Sequence, residues 1–502
     1  MAIQGDTIPA QGIDADALLA QMAGLADGDV QWEKNRVFGL VYHHSDAHTE
    51  LVRKGHNLFF STNALNPMAF GSLQKMEHDV VRMTAKMLHG DDEVVGTMSA
   101  GGTDSILLAI YTYRQYACKK KPWIRRPEIV VPESAHASFY KGGEFFDVKI
   151  VATPLGSDYR ADVAAIEQAI TDNTIALVGS AACYPYGVID PIEELGALAR
   201  KRGLPLHVDG CIGGFMLPWV EKLGPEYQLS EIRPFDFRVP GVTSMSADLH
   251  KYGYAAKGAS TVMYRGMQYL RCQFSANTDW CGGVYASPTF AGTRPGSTIA
   301  AAWASLHGLG EAGFIDNARV TMAATKRFYE GINAIPELEV LGKPAMPILA
   351  FVSPVKGFST YAVGDYLERK KWHIDRLQYP EALHLIINPG HGEVVDDFLA
   401  DLRDAVEYVK AHPDAAFEGS APMYGLIAKA PMRRMIKQQV LALFEGMYSA
   451  EGKIPDLGQV ALTGDGDDGG AAPAPAAAAP GVPKPVLLFM KLKARINRML
   501  GL

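Results

Sequence analysis

The sequence predicts an α/β protein built on a large, mostly parallel sheet. Short runs rich in Val and Ile recur along the chain, and stretches of helical periodicity fall between most of them. At 48% hydrophobic and 21% charged residues, the 502-residue chain has the apolar content for several packed layers and is no disordered sequence. The elements follow in order. Residues 1–57 read as an N-terminal arm. Between Leu73 and Leu88 the apolar positions Leu73, Met76, Val80, Met83 and Met87 keep helical spacing, and Gly90 supplies the stop. Strands are predicted at Ile129–Val131, Val148–Ala152, Ile175–Gly179, Pro205–Val208, Gly241–Met245 and Ser260–Met263, with helices at Ala161–Ile170 and Ile192–Lys201 among the connections. These make a large domain over 58–305. A smaller α/β unit is expected over 306–425, with strands at Leu338–Val340, Ile348–Phe351 and Leu383–Ile387.

Residues 426–462 read as a helical extension, with a helix over Pro431–Met447. From 463 to 485 the chain is Gly, Asp, Ala and Pro, too poor in large apolar residues to fold, and is expected to be a disordered linker. Over 486–502, Leu487, Leu488, Leu492, Ile496, Met499 and Leu500 are interspersed with Lys491, Lys493, Arg495 and Arg498 and no acid. That is the composition of a helix that lies on an anionic membrane surface, or of one that packs on protein.

A net charge of −7 gives no electrostatic reason to expect nucleic acid as a partner. The five cysteines form no CxxC pair and no metal spacing, which suits reduced thiols in a cytoplasmic protein. Met1 to Gly28 lacks the pattern of a signal peptide, and no run reaches the ~18 apolar residues of a membrane-spanning helix.

Four segments carry the chemistry. In Ser244-Met-Ser-Ala-Asp248-Leu-His250-Lys251-Tyr-Gly253 a lysine follows a short apolar strand, and Lys257 comes six residues later. A lysine held at a strand end and partly desolvated suits covalent chemistry with a carbonyl, which requires the free amine. A random lysine is a solvated surface group; the Ser-x-Ser-x-Asp-x-His context sets this one apart. In Leu204-Pro-Leu-His207-Val208-Asp209-Gly210 an aspartate sits at the C-terminal end of a strand, where ligands bind in open α/β sheets. Its carboxylate could keep a pyridinium nitrogen protonated and so make pyridoxal phosphate an electron sink, or it could cap a helix. Ser99-Ala-Gly101-Gly102-Thr103-Asp104 leads into an apolar helix, either as a plain turn or as an anion cradle with a helix N-terminus behind it. Finally, His136 follows a strand, placed to lie on an aromatic cofactor ring or to bond a neighbouring carbonyl.

Taken in chain order, Gly-Gly-Thr, SAHASFYK, HVDGCIGGF, SADLHKYGYAAKG and PTFAGTRPGS resemble the sphingosine-1-phosphate lyases, fold-type-I pyridoxal phosphate enzymes related to the group II decarboxylases. KNRVFGLVY at 34–42, ACYPYGVIDPIEEL at 182–195 and FDFRVPGVTSMSA at 235–247 extend the similarity over roughly 30–420. The resemblance implies that Lys251 binds the cofactor covalently, Asp209 pairs with its ring nitrogen and His136 stacks on the ring. It places Gly102, Thr103, Ser246 and His250 around the cofactor phosphate. It further implies a homodimer with shared active sites, in which Gly296 and Ser297 reach the neighbour's cofactor. Tyr42 and Lys257 match positions tied to catalysis or substrate handling, and Tyr186 is a weaker candidate for substrate contact.

The implied reaction cleaves the Cα–Cβ bond of a phosphorylated sphingoid base to a long-chain aldehyde and phosphoethanolamine. Tyr42, Lys257 and Lys251 all stand as candidate bases, and Lys257 could instead hold the substrate phosphate. One position departs from the family. Where the family reads Leu-His-Pro-Asp, this chain has Leu65-Asn66-Pro67-Met68, and Asn66 cannot carry a proton. His43 and His44 are the nearest substitutes, or simply surface histidines. The departure keeps open an amino-acid decarboxylase on the same scaffold, and a pyridoxal phosphate-binding scaffold protein is the third reading.

Overall fold

The computed structural model describes residues 7–417 and 433–450. Seven strands form the central sheet: β1 (Val94–Ser99), β2 (Glu128–Pro132), β3 (Lys149–Thr153), β4 (Thr174–Ser180), β5 (Leu206–Gly210), β6 (Val242–Ala247) and β7 (Ser260–Arg265). Their order is β1-β7-β6-β5-β4-β2-β3. β7 runs antiparallel to both its neighbours and the remaining pairs are parallel, which makes the sheet mostly parallel, as the sequence predicts, and adds an antiparallel strand it did not announce. β2 and β4 are buried on both faces, so their Val and Ile side chains meet cover on either side instead of alternating with water.

Each predicted strand overlaps an observed one. Within the central sheet, the strand missing from the prediction is β1; outside it, the strand at Asp375–Gln378 was missed as well. The β1 sequence, VVGTMS, is short and interrupted by a glycine. A Cβ on Gly96 would collide with the Val262 carbonyl oxygen of β7, so the residue that weakens the strand signal is the one that lets β7 approach. The exposed hairpin β8 (Ser275–Asn277) and β9 (Tyr285–Ser287) was also without an apolar pattern to announce it.

β10 (Glu339–Val340), β11 (Ile348–Val352), β12 (Asp375–Gln378) and β13 (Glu381–Ile386) form a second, antiparallel sheet in the order β10-β11-β13-β12. Its core gathers Phe328, Phe351, Trp372, Leu383, Leu385 and Phe398. Phe38, from the arm, is fully buried in the same core, stacked on His391 with ring centroids 4.5 Å apart. Val37 makes a parallel bridge to His373.

A 38-residue helix, Gly296–Asn333, joins the two sheets, kinked at Gly310 where φ is 59°. The expected boundary at 305/306 falls inside it. The helix Arg433–Met447 coincides with the predicted one. The predicted linker at 463–485 and basic helix at 486–502 lie outside the described residues. Among the described residues no helix is long and apolar enough to cross a membrane.

Candidate active site

β4, β5 and β6 run parallel and end level with one another, so the residues just past them face one crevice, where open α/β sheets bind ligands. There, with the turn after β1, they wall a cavity of about 520 Å³. Gly102, Thr103, His136, Asp209, His250 and Lys251 all line it. The sheet thus brings together six residues that the sequence scatters over 150 positions.

Lys251 hangs from the turn after β6. Its neighbour Tyr252 is fully buried and donates a 2.8 Å hydrogen bond to the Ile387 carbonyl, which pins the turn to the small domain. The Lys251 ammonium lies 3.0 Å from Asp248 Oδ2. Burial pushes the Asp248 carboxyl up, but Lys251 beside it, with His250 and Ser260, outweighs this and holds it at about 2. Burial lowers the lysine, but Asp248, with Cys211 and Tyr42, outweighs it, and the net shift is upward. The sequence reading asked for a free amine here; the structure pairs the ammonium with Asp248. Asp248 is itself fixed from behind. Ser260 Oγ donates to its Oδ1 at 2.6 Å, and Ser105 and Ser99 continue a buried hydroxyl chain at 2.8 and 2.6 Å.

Asp209 ends β5 and is 7% exposed. It accepts hydrogen bonds from the Cys211 amide at 3.0 Å and Ser246 Oγ at 3.1 Å. Both fall on Oδ1, leaving Oδ2 for a ligand N–H. Ser246 is fully buried beneath the wall, so it orients Asp209 from below. His136 Nδ1 accepts from the Ser138 amide at 3.2 Å, and burial lowers the pKa of the ring, which favours the neutral form with its proton on Nε2.

The helix Gly102–Lys120 starts directly after β1. Gly101, at φ 146°, makes the turn that only glycine adopts without strain. A Cβ on Gly102 would come within 2.6 Å of Asp248 Oδ2 and 2.9 Å of Cys211 Sγ. The first-turn amides that a helix cannot use internally therefore open onto the cavity beside Thr103 and His250, a setting suited to a phosphate. A buried carboxylate with an oxygen to spare, a lysine and an anion cradle in one cavity of this size fit pyridoxal phosphate.

Two further predicted residues stand at the edge. Tyr42 packs edge-on against Tyr252, with centroids 5.0 Å apart, and burial pushes its hydroxyl up to about 12. Lys257 Nζ lies 5.0 Å above the Tyr42 ring and donates to the carbonyls of Leu40 at 2.8 Å and His250 at 3.3 Å. Burial, then the charge of Lys251, brings it down to about 8.

The other predicted residues lie off this wall. Gly296 and Ser297 are buried at the start of the long helix, where the Gly296 amide donates to the Thr62 carbonyl at 3.1 Å. Asn66 Oδ1 caps its own exposed turn, accepting from the amides of Met68 at 3.0 Å and Ala69 at 3.3 Å. His43 lies 3.3 Å from Asp46, and His44 packs on His48 and Tyr254. Tyr186 is buried against Tyr159 and donates to the Tyr379 carbonyl. Tyr184, two residues earlier, lines the cavity, 6.1 Å from the His136 ring. The segment following β4 shows tyrosines two apart, and nothing in the sequence says which turns inward. Asp248 and Cys211 on the same wall were visible inside the motifs, but their direction follows only from the strand ends.

Residues 30–353 match the pyridoxal-dependent decarboxylase conserved domain. The sphingosine-1-phosphate lyase of Arabidopsis thaliana is 44% identical over 451 residues, covering 88% of this chain and 81% of that one. The probable sphingosine-1-phosphate lyase of Legionella pneumophila is 33% identical over 408 residues, covering 78% and 66%. The solved structure of a sphingosine-1-phosphate lyase from Burkholderia pseudomallei superposes with a TM-score of 0.78 at 37% identity, covering 87% of this chain and 96% of that one. Glutamate decarboxylase from Lactobacillus brevis, at 17% identity and a TM-score of 0.70, shares the fold.

Proposed function

This chain belongs to the pyridoxal-dependent decarboxylase family and, within it, to the sphingosine-1-phosphate lyases, and from that premise we propose how its cavity works. The protein is a pyridoxal phosphate-dependent lyase that cleaves the Cα–Cβ bond of a phosphorylated sphingoid base into a long-chain aldehyde and phosphoethanolamine. The observation that carries this reading is the convergence of Lys251, Asp209 and the helix N-terminus at Gly102 on one cavity.

When bound, the cofactor supplies an electron sink for the pair released at Cα. Lys251 would hold it covalently and, once released by the substrate amine, would be the nearby amine that returns a proton to Cα. Asp209, fixed through Oδ1 by Ser246 and the Cys211 amide, keeps negative charge at the ring nitrogen. Thr103, His250 and the first-turn amides of the helix hold its phosphate, and His136 closes one face of the ring. Lys257 offers its charge to the substrate phosphate. Because its pKa is lowered to about 8, that charge is present below pH 8 and lost above it. The KM for sphingosine-1-phosphate is therefore expected to rise as pH passes through about 8, and Lys257→Arg to flatten the rise; an unchanged slope would remove Lys257 from phosphate binding.

The test of the reaction is a product assay on purified, cofactor-loaded protein with sphingosine-1-phosphate and, separately, amino acids. Fatty aldehyde is the expected product. Carbon dioxide without aldehyde would leave the scaffold standing and replace the lyase with a decarboxylase, the outcome that Asn66 makes worth measuring.

The proposed assembly is a homodimer. Gly296 and Ser297 lie away from this chain's own cavity, and Trp280, Val284, Tyr285 and Phe290 on and beside the exposed hairpin need cover. Sedimentation should give the mass of two chains. The basic tail at 486–502 is proposed to bring the enzyme to an anionic membrane surface where its amphiphilic substrate resides. Deleting 464–502 should then lower liposome binding.

A further inference from the structure

The small domain reaches Tyr184, on the cavity wall, through two side chains that the reaction scheme above leaves unused. Asp375 on β12 and His384 on β13 are direct cross-strand partners. They hold Tyr184 at both ends. The Tyr184 hydroxyl donates to Asp375 Oδ2 at 3.0 Å, and His384 Nε2 lies 2.9 Å from the Tyr184 carbonyl. A carbonyl can only accept, so His384 carries its proton on Nε2, and its buried Nδ1 has no hydrogen-bond partner. Burial keeps this ring neutral, with a pKa lowered to about 4. Around Tyr184 stand Asp375 and His384 from the small domain, His136 after β2, Tyr42 from the arm and Lys251 after β6.

We propose that Asp375 is a positioning residue for carbon–carbon cleavage: it holds the Tyr184 proton, so that the phenol oxygen presents only lone pairs to the cavity and accepts the proton of the substrate's Cβ hydroxyl. The inference rests on the lyase reading. In the step, the substrate O–H bond breaks and a new Tyr184 O–H bond forms, while the original phenol proton passes to the Asp375 carboxylate. The Cβ oxygen becomes a carbonyl oxygen and the Cα–Cβ electron pair stays with Cα. One proton and no electrons enter the protein. Burial, then Asp375, raises the Tyr184 hydroxyl above its ordinary value, so the phenol cannot serve by ionising alone. It needs an acceptor behind it, and the small domain supplies one.

The test compares wild type, Asp375→Asn, Tyr184→Phe and the double variant, all loaded with pyridoxal phosphate and assayed with sphingosine-1-phosphate. Asp375→Asn is expected to lower kcat on the order of 10²-fold, the usual scale for proton transfer by a side chain, with KM little changed. Tyr184→Phe should lose a similar factor, and the double variant no more than the worse single one. In Asp375→Asn the phenol must ionise before it can take a proton. Its kcat relative to wild type should therefore climb about tenfold per pH unit from pH 7 to 9, and Tyr184→Phe should erase that climb. Asp375→Ser, also unable to take the proton, should behave like the Asn variant and serves if the latter does not fold. Wild-type kcat in Asp375→Asn, a double variant that falls by the product of the two losses, or a flat pH ratio would each overturn the proposal. Absence of aldehyde from the wild type would instead overturn the lyase reading.

Discussion

Lys251→Ala is expected to lower aldehyde formation by roughly 10⁴-fold or more, the scale seen when a covalent catalytic group is removed. The cofactor would still find Asp209 and the helix N-terminus, so it should bind reversibly, dialyse away and leave no adduct that borohydride can fix. The lysine does more than bind. Its ammonium is the foremost of the groups that together outweigh burial at Asp248, whose carboxyl sits at about 2 while almost wholly enclosed. Removing it leaves a buried carboxylate without its cation, a situation that costs about 3–5 kcal/mol. The variant should therefore melt earlier, and earlier still at pH 7 than at pH 4. In the wild type the ion pair keeps the carboxyl ionised at both values. In the variant the lone carboxyl moves upward in pKa, so acid neutralises it and relieves the strain. Lys251→Met with a retained melting point would detach this stability argument while leaving the catalytic one intact.

Asp209→Ala is the second large effect, expected to cut kcat by about 10³-fold or more. The carboxylate acts only if its charge stays put, and the structure spends two hydrogen bonds and a nearly complete enclosure on keeping it so. This variant separates from the first by chemistry: Lys251 remains, so borohydride should still fix the cofactor to the protein. Loss of that adduct in Asp209→Ala would mean the aspartate holds the cavity together rather than the ring's charge.

Much of this was legible in the sequence because parallel strands buried on both faces are written as unbroken Val and Ile runs. Their ends were therefore legible too, and with them Lys251, Asp209 and His136. β1 was illegible because Gly96 serves a close approach of β7 that only the three-dimensional pairing reveals. The choice between Tyr184 and Tyr186 was illegible for a different reason. Which tyrosine turns inward is decided by Asp375 and His384, almost 200 residues later. Asn66 looked like a lost proton carrier, whereas in the structure its side chain is occupied with its own turn.

Phe38 gives this architecture an order in time. The Phe38 amide donates to the His373 carbonyl at 3.0 Å, and its ring fills a core made otherwise from residues 324–415. A ribosome adding about 5–20 residues per second needs tens of seconds to make the stretch between them. Throughout that interval a large aromatic side chain stands a few residues from Tyr42 with nowhere to be buried, and the central sheet is complete well before the interval ends. The nascent enzyme therefore has its cofactor shelf before it has its clasp, and the segment bearing Tyr42 takes its final place only when the last strands of the small domain arrive. A chain stopped short of β13 would keep most of the chemistry's residues and lack the means to close them in.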